Sequence, residues 1–166
     1  PDNLVVVANM HDVGRRYVEP IQTAIEPDLV YPLLRGRDVS RWFVSPSAFL
    51  LVVQDPATRM GIPEHWLKTH FPHTYSYLKE CEKPLRQRKS RAVRDLMEKS
   101  AFYAMYAVAE YTFAPFKVVW KYIASDFTCA VVGSLTNAYL GDKLIVPDHR
   151  LILVPCNNEA EAHYVC

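Results

Sequence analysis

The chain has 166 residues, half of them hydrophobic and 22% charged, with a formal net charge of +1. That composition excludes a disordered or low-complexity chain, and no apolar run reaches the roughly 20 residues of a membrane-spanning helix. Cys81, Cys129, Cys156 and Cys166 form no Cys-x-x-Cys pair, which excludes a zinc knuckle or dithiol motif and suits a reducing cytoplasm.

Residues 4–8 are β-rich and read as a strand, and residues 9–16, with Asn, Asp and Gly, read as a turn. Residues 18–24 read as a short strand or an approach segment. The apolar run 49–54, bounded by proline, reads as a buried strand. Pro63 opens a short helix over 64–69, and Pro72 opens a longer one running to about Arg94. In that longer helix Tyr75, Leu78, Cys81 and Leu85 make one apolar stripe, and Pro84 should kink or break it. Residues 102–109 read as a helix end or a loop. Residues 117–123 alternate as a strand, with Val118, Trp120 and Tyr122 facing one way and Lys117, Val119, Lys121 and Ile123 the other. Strands at 128–132, 142–146 and 150–154 follow, and Asn157 or Asn158 caps a last helix. The expected fold is a single α+β domain: a mixed or mostly antiparallel sheet with a helical pair inserted after its second or third strand.

No signal peptide is evident, since residues 4–8 are too short for its apolar region and no basic start precedes them. Because the chain starts at Pro1 and residues 159–166 read as the opening turns of a helix, a piece of a longer protein is expected.

Motifs for several chemistries are missing from the sequence. The five glycines are isolated, so there is no dinucleotide fingerprint and no phosphate loop. No Gly-x-Ser-x-Gly elbow occurs. His65, His70 and His73 do not follow the i, i+4 spacing of helical zinc ligands and read as solvent-facing. No Glu-x-Lys triplet stands at a strand end, as a magnesium-dependent nuclease would want. Trp42, Trp66 and Trp120 read as core anchors.

Two cationic groups remain. Arg35, Arg37 and Arg41 alternate, so on an extended segment their guanidiniums share one face, opposite Trp42. Residues 83–94 carry Lys83, Arg86, Arg88, Lys89, Arg91 and Arg94 with no acid among them. Guanidinium forks suit phosphates and guanine edges, and a basic stripe on a nearly neutral chain is compatible with nucleic acid. The alternatives are an Arg37–Asp38 ion pair and an Arg88 that locks its helix to the sheet.

Three blocks carry a family resemblance. Residues 25–42 run Ile-Glu-Pro-Asp-Leu-Val-Tyr-Pro-Leu-Leu-Arg-Gly-Arg-Asp-Val-Ser-Arg-Trp, Tyr77-Leu78 is followed by Leu85-Arg86-Gln87-Arg88, and residues 110–121 contain Ala-Pro-Phe-Lys-Val-Val-Trp-Lys. In this order they resemble the TaqI-like C-terminal specificity domain, the target recognition domain of adenine-N6 DNA methyltransferases and type IIG restriction-modification enzymes. The resemblance implies binding to double-stranded DNA and recognition of base edges beside a catalytic domain of the same parent chain, which uses S-adenosylmethionine. The family's Asn-Pro-Pro-Tyr-like motif and its glycine-containing cofactor motif are not in this sequence, so no enzyme activity and no cofactor are expected of this chain itself. Arg86, Arg88, Lys89 and Arg91 are the expected phosphate contacts, and Arg35, Arg37, Arg41 and Lys121 the expected phosphate or base contacts. Base readers are expected in loops 104–109 and 125–129. The competing readings are a protein-interaction module on the same fold and an enzyme with an unrecognised site.

Overall fold

The structure is a computed structural model that describes residues 3–13 and 17–166. The chain is α+β, with five α-helices and fourteen short strands among the described residues, and the pairings are antiparallel except for one. Its contacts gather into two compact units, each assembled from separate stretches of sequence.

The first unit comprises the described residues up to Leu29, with Val53–Asp55 and Met60–Tyr106. Strand β1 (Val5–Ala8) pairs antiparallel with β2 (Gln22–Ile25), Val5 opposite Ile25 and Ala8 opposite Gln22. Asn9 closes this hairpin: its Nδ2 donates to the Glu19 carbonyl at 2.8 Å and its Oδ1 accepts from the Ile21 N–H at 2.9 Å. The turn expected over 9–16 includes residues 14–16, which lie outside the described residues. Strand β7 (Gln54–Asp55) pairs with β8 (Met60–Gly61).

Helix α1 (Glu64–His70) starts after Pro63 as expected. The long helix expected from Pro72 is instead three: α2 (Pro72–Glu80), α3 (Glu82–Arg86) and α4 (Arg91–Lys99). Cys81 leaves helical geometry at ψ 0° and starts α3. Pro84 is therefore the third residue of a new helix, where no intrahelical N–H bond is lost. The stripe reading survives these breaks: Leu78 is buried, and Tyr75, Cys81 and Leu85 are partly buried.

Helix α2 lacks a side-chain cap of its own at Phe71. Glu26 supplies one from a distance: its carboxylate accepts the His73 N–H at 3.0 Å, the Thr74 N–H at 2.8 Å and the Thr74 hydroxyl at 2.7 Å. Burial works to raise the Glu26 carboxyl, but these donors outweigh it and hold it below its ordinary range. A depressed carboxylate contributes stability above its unfolded value, about 4.3, and loses it as pH falls through the folded value. Glu26→Gln is therefore expected to cost about 1–3 kcal/mol at neutral pH and to flatten the acid limb of the urea-midpoint-versus-pH curve.

Residues 101–104 form neither helix nor strand, yet Ala101, Phe102, Tyr103 and Ala104 are 0–2% exposed. Of the two expectations, helix end or loop, the loop holds, but a buried one. Its polar groups are met at long range: the Tyr103 hydroxyl donates to the Ile62 carbonyl at 2.6 Å, and the Met105 N–H to Gln54 Oε1 at 2.8 Å. Gly61 packs closely here: a Cβ on it would lie 2.8 Å from Ser100 Oγ and 3.4 Å from the Cβ atoms of Ala101 and Ala104, so the Ser100 side chain would have to shift.

The second unit comprises Val30–Val52, Pro56–Arg59 and Ala107–Cys166. Strand β3 (Val30–Leu34) pairs antiparallel with β6 (Ala48–Leu51) and parallel with β13 (Val146–Pro147). The expected buried strand over 49–54 is thus cut at Leu51, and Phe49 on it is 51% exposed. Short strands β4 (Val39–Ser40) and β5 (Phe43–Val44) make a further ladder.

The centre of this unit is β9 (Phe116–Lys121), flanked antiparallel by β10 (Cys129–Val132) and β14 (Leu151–Cys156). Val119 packs on one face with Leu34, Val39, Ala130, Val132, Ile145 and Leu151. Val118 packs on the other with Cys129, Cys156 and Ala162, beneath helix α5 (Glu159–Val165). The expected alternation is thus observed, although the strand ends at Lys121 and leaves Tyr122 and Ile123 exposed.

Asn158 caps α5, its side chain accepting the Glu161 N–H at 2.8 Å, while Glu161 returns a carboxylate to the Asn157 N–H. Strand β11 (Ser134–Asn137), which sequence reading missed, pairs with β12 (Gly141–Leu144). The strand expected over 142–146 is two, separated where Ile145 N–H donates to the Gly133 carbonyl. Among the described residues no helix is long and apolar enough to cross a membrane.

Candidate nucleic-acid interface

In the second unit, antiparallel pairing brings the end of β9 beside the starts of β10 and β14: Trp120 lies opposite Cys129, and Lys121 opposite Leu151. The Trp42 N–H donates to the Cys129 carbonyl at 3.1 Å, which pins the β4–β5 turn to the same end. Gly36 is there as well, since a Cβ on it would lie 3.9 Å from Lys121 Cγ. Arg37, Arg41 and Lys121 are thereby gathered at one end of one sheet from three stretches of sequence.

The expected shared face of Arg35, Arg37 and Arg41 is corrected. Gly36–Asp38 forms a 3-10 turn, so the segment is not extended. Arg35 turns inward, its side chain 15% exposed, and its Nη2 donates to Ser47 Oγ at 2.9 Å. Ser47 in turn donates to Asp38 Oδ1 at 2.6 Å, and the Arg35 N–H donates to Asp38 Oδ2 at 2.9 Å. Burial pushes Asp38 up, but Ser47, the Arg35 N–H and the two neighbouring guanidiniums together hold it below its usual range. Arg35 therefore shapes the turn and is engaged within it. Arg37 stays 61% exposed, its Nε 4.0 Å from Asp38 Oδ1. Arg41 does not oppose Trp42; its guanidinium sits 5.5 Å from the centroid of that ring.

Trp42 itself, expected in the core, is 61% exposed and has a left-handed backbone at φ 66°. Trp66 is exposed too, stacked on His70 at 4.1 Å. Trp120 meets the expectation better: it is partly buried and packs against the α5-side core. The loop after β9 adds exposed Tyr122, Ile123 and Phe127, with Phe127 6.1 Å from the Trp120 ring. Sequence reading assigned Tyr122 and Ile123 to the strand and so missed them. The signal was Ser125-Asp126, one residue further on, which ends a strand better than it continues one.

In the first unit the basic tract divides by role. Arg88, an expected phosphate contact, is partly buried and engaged within its own unit: its Nη1 donates to the Ala104 carbonyl at 2.7 Å, and burial lowers its pKa. The alternative, an arginine that locks its helix to the sheet, is not what is found: Arg88 follows α3 and its partner is the buried, non-strand 101–104 segment. Arg86 is bonded to Glu82 at 2.7 Å and lies 5.3 Å from the centroid of buried Phe102, which Lys79 also covers. Hydrogen bonds from Lys79 and then Arg86 lower the Glu82 carboxyl. Lys89 and Arg91 project into solvent, Arg91 with only a 3.9 Å approach to Asp95. Lys83 and Arg94 are likewise exposed.

The loops expected to read bases differ. In 104–109, Ala104, Val108 and Ala109 are buried, leaving Tyr106 and Ala107 at the surface; 125–127 is fully exposed. His65, His70 and His73 face solvent as expected, and no group of three metal-ligating side chains occurs among the described residues. No family model and no curated protein matches the sequence.

Proposed function

We propose that this chain is a DNA target recognition domain of an adenine-specific DNA methyltransferase or a type IIG restriction-modification protein. In this reading it holds duplex DNA for a separate catalytic domain of the parent chain, which supplies S-adenosylmethionine and flips the target adenine. The chain acts by positioning and specificity, in the cytoplasm. The observation that carries the reading is the convergence of Arg37, Arg41 stacked on Trp42, and Lys121 at one sheet end beside exposed Tyr122 and Phe127. Cations there would grip phosphates, and the aromatic faces would meet sugar or base edges. Within the first unit taken by itself, the exposed Lys89 and Arg91 are the candidates for phosphate contact. Arg35, Arg86 and Arg88 support the fold around them.

The combined variant Arg37→Ala, Arg41→Ala, Lys121→Ala is expected to weaken binding to every duplex alike. It should also reduce the slope of log K against log salt by about 3, one counterion for each lost phosphate contact. Fluorescence anisotropy with labelled duplexes at several salt concentrations measures both. An unchanged slope would remove this sheet end from the interface.

A further inference from the structure

Cys129 and Cys166 lie 37 residues apart in sequence, yet their sulfurs are 3.0 Å from one another. Cys129 sits at the start of β10 and is 5% exposed, while Cys166 follows α5 and is partly exposed. The Cys129 thiol also donates to the Cys166 carbonyl at 2.9 Å, and the Cys166 N–H donates to the Ala162 carbonyl at 3.0 Å, so the pair is fixed from both sides. Drawing the sulfurs to the ~2.05 Å of a disulfide takes about 1 Å of movement.

We infer that Cys129 and Cys166 are a disulfide-forming site that staples α5 to the central sheet when a small-molecule disulfide is present. The steps balance. The Cys166 thiol, the accessible one, loses its proton and attacks one sulfur of the reagent; the reagent's S–S bond breaks and one small thiol leaves with a proton. The Cys129 thiol then loses its proton and attacks the Cys166 sulfur, expelling the second small thiol. Two protein thiols are oxidised to one disulfide, and one reagent disulfide is reduced to two thiols. Burial, and then the neighbouring Cys129, push the Cys166 thiol up to about 11. The thiolate is scarce at neutral pH, so the first step is slow and the reduced pair persists in a reducing milieu. Cys156 shares the same apolar cluster and is the internal competitor.

The test incubates the chain with glutathione disulfide, then maps peptides of the monomer by mass spectrometry without reduction and records thermal melts. The expected result is a single 129–166 linked peptide and a melting temperature raised by about 10 °C, reversed by a reducing thiol. Cys166→Ser should abolish both changes, and Cys156→Ser should leave both. Since Cys129→Ser alters a buried site, the partly exposed Cys166→Ser carries the control. A monomer that keeps all four thiols, or that links Cys156 or Cys81 instead, overturns the inference.

Discussion

Tyr103→Ala is expected to destabilise the protein by about 3–5 kcal/mol, a large share of the 5–15 kcal/mol that folded domains have in total. Tyr103 is 1% exposed, lies edge-on to Phe102 at 4.9 Å between centroids, and donates its hydroxyl to the Ile62 carbonyl at 2.6 Å. Truncation opens a cavity where the ring stood and leaves a buried carbonyl without its donor. Tyr103→Phe separates the two effects. It keeps the ring and loses only the hydrogen bond, so about 1–2 kcal/mol is expected. Urea unfolding of the three proteins measures the difference. Equal losses for Phe and Ala would mean that the hydroxyl, and not the packing, dominates.

The second large effect lies at Lys117, which is 0% exposed in the middle strand of the β9 sheet and donates its ammonium to the Ala114 carbonyl at 2.8 Å. Burial pulls its pKa down to about 8. The unfolded chain holds that proton up to about 10.4, so between about 8 and 10.4 the unfolded state binds more protons and stability rises with pH. Below that window both states are charged, and the cost of burying the ammonium, on the order of 3 kcal/mol, is fully present. Lys117→Met should remove most of this cost, offset by about 1 kcal/mol for the abandoned carbonyl. The variant is therefore expected to be more stable at neutral pH, with an advantage that shrinks as pH approaches about 10. Groups with raised values, such as Cys156 and Tyr77, act in the opposite direction, but they are common to both proteins and cancel in the difference. A constant difference between wild type and variant across pH would show that Lys117 titrates normally.

What the sequence made legible were features whose cause is local. Pro63 and Pro72 mark helix starts because proline suits the first turn, and Asn158 marks the last helix because its side chain reaches an N–H three residues on. The alternation about Val118 and Val119 marks a two-faced strand. Pro84 marked a break in the long helix, which falls three residues earlier, at Cys81, because proline suits the first turn of the new helix; the second break, at Gln87, had no such signal. The burial of residues 101–104 was hidden because their partners, Ile62 and Gln54, are about 40–50 residues away. Lys117 was placed on the same face as Val119, but nothing in its residue type announces a buried ammonium.

The arginines show the same limit within the candidate site. Alternating spacing put Arg35, Arg37 and Arg41 together, whereas the Gly36–Asp38 turn, held by Asp38 and Ser47, turns one inward and leaves two outward. Residue type identified cations suited to phosphate. Which of them are free to meet it depends on hydrogen bonds made across the fold, as Arg88 also shows.

The most direct test of DNA recognition is an anisotropy titration of this chain against labelled duplex DNA at about 50 and 200 mM salt, the range in which phosphate contacts show their steepest loss. A DNA recognition domain binds at the lower salt with an affinity that falls by at least tenfold at the higher, as three or more phosphate contacts require. No binding at about 50 mM, or an affinity indifferent to salt, would contradict it.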